Sequence, residues 1–356
     1  MAEKPPATDS KRSFTGRARR HRNRWGVRAS DAAARWLITV GGIGTIVAVL
    51  LVFVFLLSVA LPLFWPRASL TLESIAPTST GAKPLAFAVN EYRTLAWSLH
   101  ADGRLEILRT DTGERLAERR LLEEGTIRSA AYQSATGDLV VGLEDGSVRL
   151  GSVRFAAAFR EPQEFPAELR DAVAKGPQAF EEGIVEGTNQ GQFRVQSVTG
   201  EFGASIQLDN ASGPVVRIDL VSGPSSEGGS GRGPTILAAT ESGSLHIVTT
   251  KFNEFTNQHK VDEQAKLPRP ENVPADAPLA VHVAGRGDAC YAIWNDGTTI
   301  FFDARDLTEI KIVDIVDVLA PNDRQLTATS MTLGRETLVV GDSRERVRCG
   351  AAVAGS

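Results

Sequence analysis

The longest apolar run in this sequence extends from Trp36 to Pro66 and contains no Asp, Glu, Lys, Arg or His. The hydrocarbon core of a bilayer requires about 20 apolar residues as a helix, and a spanning helix bonds all its backbone groups internally. The run therefore predicts a transmembrane helix over 36–66. We expect a basic arm at 1–35, a folded domain at 67–348 and an irregular tail at 349–356.

After this run the pattern changes to short β-rich segments that pair around a turn. A segment of alternating apolar residues leads into a pair such as Asp-Gly or Ser-Gly, and a second such segment follows. These turns need a positive φ, which glycine adopts without steric cost. A sixth copy, ETLVVGDSRERVRC, has Glu345 where the glycine is expected. The turn residues predicted in the other copies are Asp102, Gly103, Asp145, Gly146, Gly191, Gly243, Asp296 and Gly297.

The spacing of the turns indicates the fold class. The five glycines lie 43, 45, 52 and 54 residues apart, at or slightly above the roughly 40 to 50 residues of a propeller blade. We predict an all-β domain, a WD-repeat-like β-propeller, complete or incomplete, after one transmembrane α-helix. A β-sandwich or barrel is the alternative, although its turn signals recur more closely. Between the hairpins, residues 165–180 predict a short helix with Pro166 at its start and Gly176-Pro177 at its end.

Charge around the apolar run predicts its orientation. Ten basic and three acidic residues precede Trp36, whereas the whole chain has a formal net charge of −4. Basic residues beside a transmembrane helix stay in the cytoplasm, so the main domain is predicted to be extracytoplasmic, or periplasmic. Contact with anionic lipid explains the arginines more simply than nucleic-acid binding. A cleaved signal peptide is the alternative, but its apolar region would have about 7 to 15 residues.

Aromatic residues at the two ends of the run and glycines near its start have expected roles in the membrane. The aromatic side chains suit the two interfacial belts. The glycines would let a second helix approach closely, although glycine is common in membrane helices generally. We therefore predict a single-pass anchor in the cytoplasmic (inner) membrane, with the lipid bilayer as a partner. The anchor residues are Trp36, Gly41, Gly42, Gly44, Phe64 and Trp65.

Catalytic motifs are missing from the sequence: it contains no GxSxG, HExxH or GxxxxGK[ST]. The acidic residues of the hairpin turns have a structural explanation, because Asp in a turn bonds the local backbone. The histidines occur singly, without zinc-ligand spacing. Cys290 and Cys349 could pair in an oxidising compartment, but a buried free thiol is as well supported. We predict no enzyme activity, no cofactor and no metal.

Two parts of the sequence together resemble a known family. The segment DAAARWLITVGGIGTIVAVLLVFVFLLSVALPLFWPRA is similar to the first transmembrane helix of the long-form permease subunits of bacterial phosphate ABC transporters. These subunits carry an extracytoplasmic WD-repeat-like propeller after that helix, to which RTLAWSLHADGRLEILRTDTGE and TLVVGDSRERVR are similar. The resemblance covers residues 30–348. It implies a role in phosphate import with another permease subunit, an ATPase and a solute-binding protein as partners.

The same resemblance implies further transmembrane helices and an ATPase-docking loop after the propeller, which this sequence does not contain. We therefore expect a truncated or frameshifted product, one part of a split gene, or a propeller that another chain completes. A membrane-tethered propeller scaffold that binds protein partners, without any link to phosphate, is the alternative. An extracytoplasmic propeller enzyme is the least favoured hypothesis.

Overall fold

The computed structural model describes residues 25–64, 83–210, 213–223, 232–253, 258–319, 324–332 and 334–351. The chain divides into two compact units, Met1–Ser74 and Ile75–Ser356. A long α-helix lies in the first unit, and β-sheets make up most of the second.

The predicted membrane segment, as far as Phe64, belongs to one continuous helix, α1 (Trp25–Phe64). Its uncharged part from Trp36 onward is about 44 Å long at 1.5 Å per residue, which exceeds the roughly 30 Å of a hydrocarbon core. Hydroxyls within it donate to carbonyls of the same helix, as Thr45 Oγ1 does to Gly41 O at 2.8 Å. Among the described residues, α1 is the one helix that is long and apolar enough to cross a membrane.

Helix α1 starts before the predicted span and includes the charged residues Arg28, Asp31 and Arg35. Three consecutive alanines at 32–34 favour helix here, so the helix continues on the basic side of the apolar run. Phe64 is the last residue of α1. The predicted interfacial Trp65 lies outside the described residues.

The described part of the second unit contains five antiparallel sheets. Each sheet is built from strands that follow one another in the sequence. Sheet 1 contains β1 (Ala86–Val89), β2 (Leu95–Leu99), β3 (Arg104–Arg109) and β4 (Arg115–Arg120). Sheet 2 has the order β5-β6-β7-β10-β9-β8. Its strands are β5 (Ile127–Gln133), β6 (Asp138–Leu143), β7 (Ser147–Arg160), β8 (Gln178–Phe180), β9 (Gly183–Gly187) and β10 (Phe193–Gln207).

The remaining sheets follow in the same way. Sheet 3 contains β11 (Val215–Val221), β12 (Arg232–Thr240), β13 (Leu245–Asn253) and β14 (Gln258–Lys266). Sheet 4 contains β15 (Ala280–Val283), β16 (Ala289–Ile293), β17 (Thr298–Asp303) and β18 (Lys311–Asp317). Sheet 5 contains β19 (Leu326–Met331), β20 (Thr337–Asp342) and β21 (Val347–Ala351). Strand β21 therefore includes residues 349–351, which the sequence placed in the tail.

Sheet 2 departs from the one-hairpin-per-sheet pattern that the glycine spacing suggests. The hairpins that turn at Gly146 and Gly191 both lie in it, because β7 and β10 pair from Arg160↔Phe193 to Ser147↔Gln207. Between these long strands the chain forms a 3-10 turn (Pro162–Glu164) and a short helix, α2 (Ala167–Val173), with Pro166 at its N-cap. The short helix predicted within residues 165–180 is thus present.

Apolar clusters between consecutive sheets hold the domain together. Strand β6 contributes Leu139 and Val141 to the cluster between sheets 1 and 2, and Val140 to the cluster between sheets 2 and 3. Strand β12 likewise divides Ile236 and Leu237 between its two faces. These strands are buried on both faces, which explains their continuous apolar sequences. Among the described residues no sheet closes on itself.

All five predicted turn glycines have a positive φ, between +76° and +96°. Glu345 occupies the same position in the sixth hairpin with φ +60°. The glycines differ in the space around them. A Cβ at Gly103 would overlap the Cβ of Leu122, whereas nothing lies within 4 Å of a Cβ at Gly191.

Gly103→Ala is expected to lower the free energy of unfolding by about 3 kcal/mol, because it adds an overlap to the backbone strain. Gly191→Ala, with the same sign of φ but open space, is the matched control and should lose about 1 kcal/mol. Urea unfolding of the detergent-solubilised full chain, followed by far-UV circular dichroism, measures both. Equal losses in the two variants would contradict the close packing of this turn.

Burial of a histidine predicts how stability depends on pH. His246 in β13 is 2% exposed, and its Nε2 has no hydrogen-bond partner among the described residues. Burial, followed by the charge of Lys266, lowers the pKa of His246 to about 4. The unfolded chain, with the ordinary histidine pKa near 6.5, therefore binds a proton at a higher pH than the folded chain.

Stability is thus expected to fall as the pH decreases from about 6.5 to about 4, with a contribution on the order of 3 kcal/mol from His246. His246→Gln should remove that contribution. Urea midpoints of the two proteins across this pH range provide the measurement, and parallel curves for both would show that His246 is not the titrating group. The comparison isolates the histidine because the carboxylates titrate in both proteins.

Candidate functional site

The predicted turn residues lie at the ends of separate hairpins and do not form one site. Each aspartate accepts a hydrogen bond from the main-chain N–H two residues later, as Asp145 does from Ser147 at 2.9 Å and Asp296 does from Thr298 at 2.9 Å. Asp102 accepts from Arg104 at 3.2 Å. These side chains stabilise the turns. The predicted anchor glycines of α1 have open space beside them. A Cβ atom added at Gly41, Gly42 or Gly44 would have no neighbour within 4 Å.

A cleft of about 550 Å³ lies between sheets 1 and 2. Val89 and Tyr92, from β1 and the turn after it, line one side. Tyr132 of β5 and Arg154 and Phe155 of β7 line the other. We call it the β1–β7 cleft. Its volume falls within the range of ligand sites in proteins, roughly 300 to 1,000 Å³.

A buried amide pair fixes one end of this cleft. Asn90, at the end of β1, uses Oδ1 to accept from the main-chain N–H of Thr94 at 2.9 Å and of Leu95 at 3.1 Å. Its Nδ2 donates to Gln196 Oε1, and Gln196 Nε2 donates to Glu186 Oε1. The β1–β2 turn is therefore tied to β9 and β10 of sheet 2, so the cleft has a rigid boundary.

Arg194 completes this arrangement. Its Nε and Nη2 donate to Glu186 Oε1 at 2.9 and 2.6 Å. The guanidinium carbon also lies 3.5 Å from the centroid of the Tyr92 ring, in a cation–π contact. Arg194 is thus already paired with Glu186 and Tyr92, and its role is to support the cleft.

Arg154 differs from Arg194, because within the described residues it makes no hydrogen bond or ion pair. It is exposed and lines the β1–β7 cleft on one side. It also lines a second cleft of about 380 Å³, together with Glu201, Phe252 and His259. An exposed arginine of this kind is available for a carboxylate or phosphate group of a ligand.

A buried Ser-His-Glu cluster in sheet 1 is the arrangement that most resembles a catalytic one. His100 Nε2 lies 3.3 Å from Glu106 Oε2 and 3.2 Å from Ser98 Oγ. Both partners approach the same ring nitrogen, whereas a proton relay requires one partner at each nitrogen. His100 and Glu106 are almost fully buried. This geometry supports packing of the sheet and offers a substrate no access.

No protein-family model and no curated protein matches this sequence. Among the described residues no group of three or more His, Cys, Asp or Glu side chains is placed to hold a metal ion. No disulfide forms in the described part of the chain either, where Cys290 is buried and Cys349 is exposed.

Sequence reasoning did not find the residues of the β1–β7 cleft. Asn90 and Gln196 are 106 residues apart, and neither belongs to a recognisable motif. Arg154 stands in an alternating strand, like many surface arginines. The usable signal was the unusual length of the apolar and alanine-rich segment after Gly146, which continues beyond the expected end of a hairpin strand.

Proposed function

We propose that this chain is a membrane component related to the permease of a phosphate ABC importer, in which it supplies the anchor helix and a non-catalytic extracytoplasmic domain. The observation that carries the proposal is the order of its parts. A basic arm and a long uncharged helix precede a domain of consecutive antiparallel sheets. The same order distinguishes the family that the sequence resembles.

The arrangement of the sheets supports a β-propeller as the form of this domain. First strands of consecutive sheets contact one another: β5 with β11, β11 with β15, and β15 with β19. Separate apolar clusters join sheet 1 to sheet 2 and each later sheet to the next. A propeller places first strands innermost and packs blades face to face in the same way.

The charge distribution supports an N-terminus in the cytoplasm. Ten basic and three acidic residues precede Trp36, and such an excess keeps this side of a transmembrane helix inside. The domain would then face the extracytoplasmic side of the cytoplasmic membrane. There it would meet the solute-binding protein, while α1 would contact the other permease subunit.

Affinity purification from the native membrane tests this proposal. The full chain, tagged at its N-terminus and solubilised in mild detergent, should co-purify the ATPase and the second permease subunit of a phosphate importer. A chain that keeps the β-domain but carries an unrelated single-pass anchor in place of α1 controls for nonspecific membrane contacts. A stable complex that contains neither importer subunit would contradict the proposal.

A membrane-tethered scaffold that binds protein partners is the second candidate function. Large apolar side chains exposed on sheets 1 and 2 favour it, since Phe87 is 71% exposed and Phe159 is 58% exposed. Exposed aromatic residues are typical of protein-binding surfaces. In the purification described above, a reproducible protein partner without the importer subunits would support the scaffold.

A further inference from the structure

Strand β7 extends beyond its neighbour on one side of sheet 2. Its pairing with β6 ends at Ser152↔Asp138, whereas its pairing with β10 continues to Arg160↔Phe193. Residues 153–160 therefore have a ladder partner along one edge only. Each of these residues pairs one-to-one with β10, without a bulge. We call the other side of residues 153–160 the free edge of β7.

The direction of the main-chain groups along this edge follows from Val153. Its N–H donates to Gly137 O at 2.8 Å, and its carbonyl accepts from Tyr132 Oη at 3.2 Å, so both groups face away from β10. Residues of a strand direct these groups to alternate edges. Phe155, Ala157 and Phe159 hence present their N–H and C=O groups at the free edge. No described residue hydrogen bonds to these groups there.

Between its two terminal arginines, the free edge carries no charge, proline or bulge that would hinder strand addition. Edge strands are commonly protected by lysine, proline or a bulge. The sequence RFAAAFR at 154–160 contains neither residue type, and three alanines leave the edge sterically open. The β1–β7 cleft lies beside residues 154–157. Space for an added strand is therefore present along the first half of the edge, and exposed residues continue it to Arg160.

Charges at the two ends of the edge indicate what kind of strand would fit. Arg154 and Arg160 are exposed, and within the described residues neither makes a hydrogen bond or ion pair. They are six residues apart, on the same face of β7, at a distance of about 20 Å. Carboxylates directly opposite two such arginines on a neighbouring strand would form favourable cross-strand pairs.

We propose that the free edge of β7 accepts an extended segment of another protein as an added strand, with acidic residues opposite Arg154 and Arg160 and small residues between. Main-chain bonds to Phe155, Ala157 and Phe159 would supply affinity, and the arginines would select the segment. A second copy of this chain fits less well. Antiparallel self-pairing centred on Ala157 places Arg154 opposite Arg160, and like charges repel there.

Strand acceptance at β7 goes beyond the proposed function and needs neither phosphate nor a permease. The importer purification and the peptide experiment below can therefore fail separately. If the importer subunits do not co-purify with the chain, the proposal of a binding site at the free edge is unaffected. Failure of peptide binding would leave the anchor helix and the importer link untouched.

Two labelled heptapeptides test the assignment on the full chain in detergent. ETVAVTE has glutamates at the positions opposite the two arginines, and KTVAVTK replaces them by lysines. Fluorescence anisotropy should show saturable binding of the glutamate peptide. The double variant Arg154→Glu/Arg160→Glu should weaken that binding at least about tenfold and should strengthen binding of the lysine peptide. If the glutamate peptide shows no saturable binding at concentrations up to about 1 mM, the proposal is wrong.

A proline variant separates strand addition from simple charge attraction. Ala157→Pro removes a main-chain N–H donor at the free edge without removing a hydrogen bond to β10. It should weaken binding of the glutamate peptide about tenfold. Ala157→Val keeps the N–H and should bind within about threefold of the unchanged chain. Matched thermal unfolding establishes that the variants are folded. Equal peptide binding by the two variants would contradict strand addition. If the unchanged chain self-associates and Ala157→Pro abolishes this, the added strand comes from a second copy of the chain and not from another protein.

Discussion

Replacing Val49 and Leu50 by arginine is expected to release the chain from the membrane. Both residues lie near the middle of α1, where they are exposed and belong to the uncharged run. An arginine at the centre of a transmembrane helix costs about 2.5 to 3.5 kcal/mol on the insertion scale, so two cost roughly 5 to 7 kcal/mol. The chain should move from the carbonate-resistant membrane fraction to the soluble or aggregated fraction.

The exchange Val49→Leu/Leu50→Val provides the matched control, because it keeps the apolar content of the helix. It should leave the membrane fraction unchanged. Continued carbonate resistance of the double arginine variant would contradict a spanning role for α1. Immunoblotting of the fractions measures both variants in one experiment.

Trp97→Ala is expected to have the largest effect on the stability of the β-domain. Trp97 is fully buried between sheets 1 and 2, with its ring edge against Tyr132 at a centroid distance of 4.7 Å. Truncation of a buried tryptophan costs about 3 to 5 kcal/mol, from lost transfer energy and the cavity that remains. Urea unfolding of the detergent-solubilised chain should show a correspondingly lower midpoint.

Phe87→Ala, on β1 of the same sheet, serves as the control because its side chain is largely exposed. Its free energy of unfolding should change by less than about 0.5 kcal/mol. Similar losses in both variants would contradict the placement of the apolar core between consecutive sheets. Trp294, buried directly after β16, provides a fluorescence signal that both proteins retain.

The local part of the fold was predictable from the sequence, because hairpin turns depend on a few adjacent residues. Asp-Gly and Ser-Gly pairs require positive φ, and the glycines at 103, 243 and 297 all adopt it. Glu345 adopts it as well, although a side chain there is strained. Alternation around that turn was sufficient to indicate the sixth hairpin without its glycine.

The association of hairpins into sheets was not predictable in the same way. Spacing alone suggests a separate sheet for the hairpin at Gly191, yet the pairing of β7 with β10 places it in sheet 2. That pairing spans α2 and depends on contacts distant in sequence, which periodicity does not encode. The β1–β7 cleft exists because of the same long pairing, so its residues carried no local signal.

The start of the helix could not be predicted from the apolar residues alone. The hydrophobic pattern begins at Trp36, whereas α1 begins at Trp25. Charged residues interrupt hydrophobicity but not helix formation, because arginine and alanine both favour helix. Apolar patterning thus defines the membrane segment, and intrinsic propensity defines the helix.

Cysteine labelling of spheroplasts tests most directly whether α1 places the β-domain outside the cytoplasm. Cys349 is exposed on β21 and Cys290 is buried in sheet 4, so a membrane-impermeant maleimide reports on one position. We predict labelling of the chain in intact spheroplasts, and loss of that labelling in Cys349→Ser. Labelling that appears only after the membrane is permeabilised would place the domain in the cytoplasm and contradict the proposed topology.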